Sequence, residues 1–169
     1  MAGSVSIRPA RPEEYDAVES VMREALTDAE AYFPDLAGDG DPTLTPAYYE
    51  PPAGALFVAI CDEVVGTVGI RPPDELLELK LGRDDGRVGE LKRLHVRPSV
   101  QRRGIGRQLL DRAERAARER GYTALAFTTT SIQTAAHAFY EAAGYTRFDR
   151  EPFDHEAMDA ELWYYRRSL

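Results

Sequence analysis

Cysteine is almost missing from these 169 residues: Cys61 stands alone. No intramolecular disulfide can form, which suits a reducing cytoplasm, and Cys61 reads as a small packed residue rather than a nucleophile. Histidine is nearly as scarce. His95, His137 and His155 do not stand with Cys61 at ligand spacing, so no metal is expected. No apolar run approaches the ~18 residues of a membrane span, and the opening MAGSVSIRPA lacks the apolar core of a signal peptide. Repeats and low-complexity segments are absent, and the length suits one domain over residues 1–169.

What is present is a balance of 43% hydrophobic and 30% charged residues, the composition of a globular chain. The net charge of −8 is unevenly spread. Residues 1–50 carry three arginines against eleven acids, whereas residues 87–120 carry eleven basic residues against four acids. The acidic remainder argues against nucleic-acid binding, and suggests an acceptor that is a cation or amine drawn toward the acidic half.

The basic block contains the most informative stretch, VGELKRLHVRPSVQRRGIGRQLLDRAERAARERG, residues 88–121. Leu94 and Val96 alternate with polar neighbours as in a strand, Pro98 ends the ladder, and Gly104 and Gly106 permit a close turn. Glu90, Lys92, Leu94 and Val96 then share one strand face, with His95 opposite. Ile105, Leu109, Ala113, Ala116 and Ala117 follow at helical spacing, Asp111/Arg115 and Glu114/Arg118 form i,i+4 pairs on the solvated side, and Gly121 closes the helix. A helix start offers unpaired amides and a positive dipole end, to which Arg102, Arg103 and Arg107 add charge. Such a turn binds an anion. A dinucleotide fold begins in the same way, but Leu109 replaces the third glycine of GxGxxG, and the next strand, Thr123 to Phe127, does not end in an acid.

The run Val96, Arg97, Pro98, Gln101, Arg102, Arg103, Gly104, Ile105, Gly106 resembles the Q/R-x-x-G-x-G/A acetyl-CoA signature of the GNAT superfamily of N-acetyltransferases. Downstream, Gln133, Ala136, Phe139, Tyr140, Gly144 and Tyr145 are similar to that family's N-x-x-A-x-x-F-Y-x-x-x-G-F segment, with Gln for Asn and Tyr for Phe. The resemblance covers roughly residues 88–145. It implies an α/β (α+β) fold with a mixed, mostly antiparallel central sheet of six to seven strands and helices on both faces. It also implies transfer of the acetyl group of acetyl-CoA to a primary amine of a small molecule or peptide by direct attack in a ternary complex. A non-catalytic acyl-CoA-sensing module is the alternative, and homodimers are common in the family.

The resemblance assigns roles residue by residue. Backbone amides from Arg102 to Arg107 are expected to receive the pyrophosphate, with Gln101 leading into the turn. The backbone of Leu94, His95 and Val96 is expected to pair with the pantetheine arm. Gln133 is expected near the pantetheine, with Phe139 beside it. Tyr140 is the expected general acid at the departing sulfur. Glu90, eleven residues before Gln101, is the candidate base, weighed against pairing with a cation such as Lys92 or Arg93.

The rest of the chain frames this stretch. Val5 to Arg8 reads as a strand, and Pro12 opens a helix running to about Ala29. Residues 33–54 read as a loop with a short turn near Pro46 to Tyr49, in which Asp41, Tyr48 and Tyr49 stand where the family walls its acceptor site. Ala55 to Ile60 and Val64 to Ile70 form a hairpin. Residues 71–86 read as an acidic connection, Thr130 to Gln133 as a capping box opening a helix from Ser131 to about Ala143, and Glu151 to Ala160 as a charged loop between two strands, Tyr145 to Phe148 and Leu162 to Arg166. His137, one turn before Tyr140, reads as a solvent-facing helix residue, and His95 as structural.

Overall fold

The computed structural model describes residues 4–33, 49–82, 86–156 and 158–169. Seven strands form one sheet: β1 (Ser6–Pro9), β2 (Ala55–Cys61), β3 (Glu63–Arg71), β4 (Val88–Val96), β5 (Ala124–Thr130), β6 (Thr146–His155) and β7 (Met158–Ser168), in the order β1-β2-β3-β4-β5-β7-β6. Every neighbouring pair is antiparallel except β4 and β5. That parallel pair requires a crossover, and the helix read from the basic block supplies it.

Among the described residues four α-helices cover the sheet: α1 (Tyr15–Asp28), α2 (Glu75–Leu81), α3 (Ile105–Glu119) and α4 (Thr134–Ala142). The apolar stripe of α3 is driven into the main core, where Ile105, Leu109, Leu110, Ala113, Ala116 and Ala117 lie against Phe57, Val68 and Leu125. Leu109 and Leu110 are fully buried, each worth about 1.5–3 kcal/mol of transfer free energy. On the opposite face Val18 and Val21 of α1 pack on Leu56, Val58 and Val64 together with Tyr49. The alternating side chains of β2 thus feed two cores, Phe57 toward α3 and its neighbours Leu56 and Val58 toward α1.

Several expectations change. Residues 71–86 hold α2, capped by Asp74, whose Oδ1 accepts from Leu77 N at 2.8 Å, with Leu77 buried and Leu79 in solvent. The seven-residue helix is too short for its period to stand out. The segment around Glu151 to Ala160 is strand for most of its length, because β6 and β7 pair almost to their turn; an edge hairpin carries charges on its solvated face. Helix α4 begins at Thr134, and the expected capping box does not form: the Gln133 amide instead donates to Thr130 Oγ1 at 3.2 Å. Glu114 is not on a solvated face. It is buried, accepting from Tyr145 Oη at 3.2 Å and Arg167 at 2.7 Å, while Asp111 pairs with Arg107 rather than Arg115.

Candidate active site

Parallel pairing between β4 and β5 covers only Val88 to Glu90 against Ala124 to Ala126. Beyond it β4 runs to Val96 and β5 to Thr130 without bonding each other, while β3 and β7 still pair with their outer edges. The gap that opens is one end of a cavity of about 1090 Å³. Leu94, Val96, Phe127 and Thr128 line its throat, Gly104, Gly106 and Arg107 its far end, and Tyr140 and Gln133 its roof. A pocket of this size suits a large ligand.

The far end is built from backbone. Pro98 removes a donor and ends β4, a single 3₁₀ turn (Pro98–Val100) follows, and Gln101 Nε2 ties the turn back to Val96 O at 2.9 Å. Arg102 and Gly104 then take φ of 62° and 79°. The first intrahelical bond of α3 is Gln108 N to Gly104 O at 3.1 Å, so the amides of Ile105, Gly106 and Arg107 lie free at the positive end of the dipole. Arg102, Arg103 and Gly104 bond no backbone carbonyl among the described residues. A methyl on Gly104 would meet nothing within 4 Å, so it is φ rather than crowding that favours glycine there. At Gly106 an added Cβ would stand 3.6 Å from Phe139 and 3.8 Å from Val96. This concave set of donors fits a diphosphate.

A bulge in β4 sets the middle of the site. Gly69 pairs with Lys92 and Thr67 with His95, so two residues of β4, Arg93 and Leu94, oppose Val68 alone. Arg93 absorbs the extra residue with φ of 58°. The expected common face of Glu90, Lys92, Leu94 and Val96 is therefore divided. Leu94 and Val96 pack with the α3 core, whereas Glu90, Lys92 and His95 register with Arg71, Gly69 and Thr67 on the α1 side. One inserted residue reverses every later side chain, and no periodicity announces it.

Tyr140 is ringed by Phe127, Phe139 and Tyr145, with ring centres at 4.1, 5.3 and 5.7 Å. Its hydroxyl has no hydrogen-bond partner among the described residues, and burial pushes its pKa well above the usual phenol range. It is therefore a neutral donor facing the cavity. Glu90 lies behind the cavity wall. Its fully buried carboxylate accepts on Oε2 from Arg71 Nε at 2.8 Å and Asp74 N at 3.2 Å, and Oε1 has only Lys92 Nζ at 3.6 Å. His95 lines the cavity, and burial together with the Arg93 and Lys92 charges holds its pKa down to about 3, so the imidazole is neutral. His137 is not solvent-facing: it is buried, bonded through Nε2 to Thr130 O at 2.9 Å and stacked on Trp163 at 4.4 Å. Tyr49 is buried against Gly69 and reaches the cavity, while Asp41 and Tyr48 lie outside the described residues.

Residues 20–145 match the profile of the Acetyltransferase (GNAT) family. The chain belongs to the GNAT acetyltransferase family. It is 41% identical over 69 residues to an IAA acetyltransferase of Azospirillum brasilense, covering 41% of this chain and 44% of that protein. It is 33% identical over 103 residues to an N-acetylaspartate synthetase of Danio rerio, covering 60% of this chain and 33% of that protein. The chain thus spans less than half the length of either relative. In fold it resembles a Salmonella typhimurium acetyltransferase solved with its cofactor acetyl-CoA, at a TM-score of 0.76 and 19% identity, covering 99% of this chain and 95% of that one.

The sequence motifs named Gly104, Gly106 and Tyr140, which line the cavity, but not its α1-side wall. Met22 and Leu26 of α1, Arg71 at the end of β3 and Tyr49 all reach the cavity. Arg71 carried one faint signal, a charge placed directly after the run Val64 to Ile70.

Proposed function

We propose that the protein is an acetyl-CoA-dependent N-acetyltransferase acting on an amine. The observation that carries this is one continuous cavity leading from the amide-lined turn before α3, along the unpaired edge of β4, to the hydroxyl of Tyr140. When bound, acetyl-CoA supplies an acetyl thioester that is open to attack by a neutral amine. The amides of Arg102 to Arg107 receive the diphosphate, with Arg102 and Arg103 adding charge. The free edge of Leu94, His95 and Val96 takes the pantetheine amides as a strand would be added to a sheet. Phe139 and Gln133 close the roof above it. As the new C–N bond forms and the C–S bond breaks, Tyr140 donates its proton to sulfur.

The amine must shed one proton. Glu90, expected as the base, is engaged by Arg71 on one oxygen, and we assign it instead as the counter-ion that fixes the charge of Arg71 and Lys92 beneath the acceptor. That proton leaves through water in the cavity, and an equal one returns by water to the Tyr140 oxygen, which restores the acid. Relatives carry different acceptors in their names, so no acceptor is transferred to this chain from them.

Thermal unfolding with ligands tests the reading. Acetyl-CoA should raise Tm in proportion to the logarithm of its concentration, and NAD should not. Gly104→Val, placed at φ of 79°, should weaken acetyl-CoA by at least about tenfold, since repositioning two or three charged hydrogen bonds costs more than ~1.4 kcal/mol. Stabilisation by NAD alone, or unchanged acetyl-CoA affinity in a folded Gly104→Val protein, would refute it.

A further inference from the structure

We infer that the acceptor is an amine bearing a carboxylate close to its nitrogen, of the free amino-acid type, and that Arg93 and Lys92 hold that carboxylate. The inference rests on the transferase reading and specifies its second substrate. Uneven charge across the whole chain points toward a cationic acceptor, but the described acceptor-side wall points the other way. Arg71, Lys92 and Arg93 all line the cavity on the α1 side of β3 and β4. Two carboxylates share the described lining. Asp74 is occupied, with Oδ1 taken by Leu77 N and Oδ2 at 3.6 Å from Arg71, and Asp28 is exposed at the end of α1.

Behind the wall Glu90 carries one negative charge, and Arg71 at 2.8 Å already matches it. With Asp74 also beside Arg71 and Glu90 shared with Lys92, Arg93 is the cation in excess. Lys92 is one-third exposed at 3.6 Å from Glu90 Oε1. Arg93, turned out of the strand by the bulge, donates to the thioether of Met22 and to the Tyr49 hydroxyl, and has no carboxylate partner among the described residues. Sulfur is a weak acceptor and the Tyr49 hydroxyl takes one bond, so donors of the guanidinium are left for a ligand. Two adjacent cations facing a partly enclosed cavity attract a planar anion, and a guanidinium beside an ammonium matches a carboxylate in shape and charge. Met22 and Leu26 add an apolar wall for the rest of the acceptor.

The experiment compares leucine and phenylalanine with leucinamide and phenylalaninamide, reading free-thiol release at saturating acetyl-CoA. The amides deprotonate more readily, so an enzyme blind to the carboxylate favours them. The inference expects each acid to exceed its amide in kcat/KM by at least about tenfold. Arg93→Gln and Lys92→Gln should each erode that preference at least about fivefold through KM, while coenzyme A affinity by calorimetry stays within about twofold. Amides used as well as the acids, or variants that keep the preference, would overturn it. If polyamines release thiol and no amino acid does, this inference falls and the transferase reading stands. If no amine releases thiol, both fall.

Discussion

Replacing Tyr140 by phenylalanine separates chemistry from packing. The ring contacts with Phe127 at 4.1 Å, Phe139 at 5.3 Å and Tyr145 at 5.7 Å survive the change. Only the hydroxyl is lost, and it faces the cavity and bonds nothing among the described residues, so its removal leaves no orphaned partner. Stability should therefore stay within about 0.5 kcal/mol of wild type or rise slightly. Turnover should behave otherwise. A positioned general acid contributes on the order of 10²–10⁴ in rate, equivalent to about 3–5 kcal/mol of transition-state stabilisation. Because burial raises the phenol pKa, the acid form is fully populated across the neutral range, and no loss of rate from its ionisation is expected there. Thiol release at saturating acetyl-CoA, calorimetric Kd for coenzyme A, and urea unfolding of the same preparations give the three readings. The reasoning fails if turnover drops less than about fivefold, roughly 1 kcal/mol, or if the variant unfolds more than about 1 kcal/mol more easily, which would reveal a structural bond of the hydroxyl.

Gly69→Val would place a Cβ 2.5 Å from Tyr49 Cε1, and displacing that buried ring should cost about 1–3 kcal/mol in urea unfolding; a neutral outcome would show that Tyr49 moves freely. Arg167→Met leaves the Glu114 carboxylate buried with Tyr145 as its remaining partner, and should destabilise by on the order of 2–3 kcal/mol with coenzyme affinity unchanged; a smaller loss than for Glu114→Gln would contradict this. His95 is held near pKa 3, against a reference of 6.5. The unfolded chain thus takes up a proton between those values that the folded chain refuses. Stability should fall as pH drops through that window, by up to about 1.4 kcal/mol per pH unit, and His95→Gln should flatten the slope; an unaltered pH profile in the variant would show that His95 does not carry it.

The parts legible in the sequence were those whose physics is local. The V-R-P ending of β4, the turn glycines and the stripe of α3 are fixed by sterics and short-range periodicity, and the structure places them as read. Helix α2 and the Glu151 to Ala160 part of the β6–β7 hairpin read as connections for opposite reasons: one is shorter than its period can reveal, and the other keeps charged residues where an edge pair meets solvent. His137 reads as polar and exposed until Trp163, distant in sequence, covers it.

The sequence by itself determined a tight turn with free amides at the start of a helix and a phenol one motif downstream, because backbone conformation there depends on neighbours within a few residues. Tertiary structure alone decided which charges meet. Arg71 reached Glu90 through strand register, and the bulge at Arg93 reversed the faces of β4 beyond it. Both depend on how two distant segments align, a choice made by the packing of α1 and α3 on opposite sides of the sheet and invisible to any window along the chain.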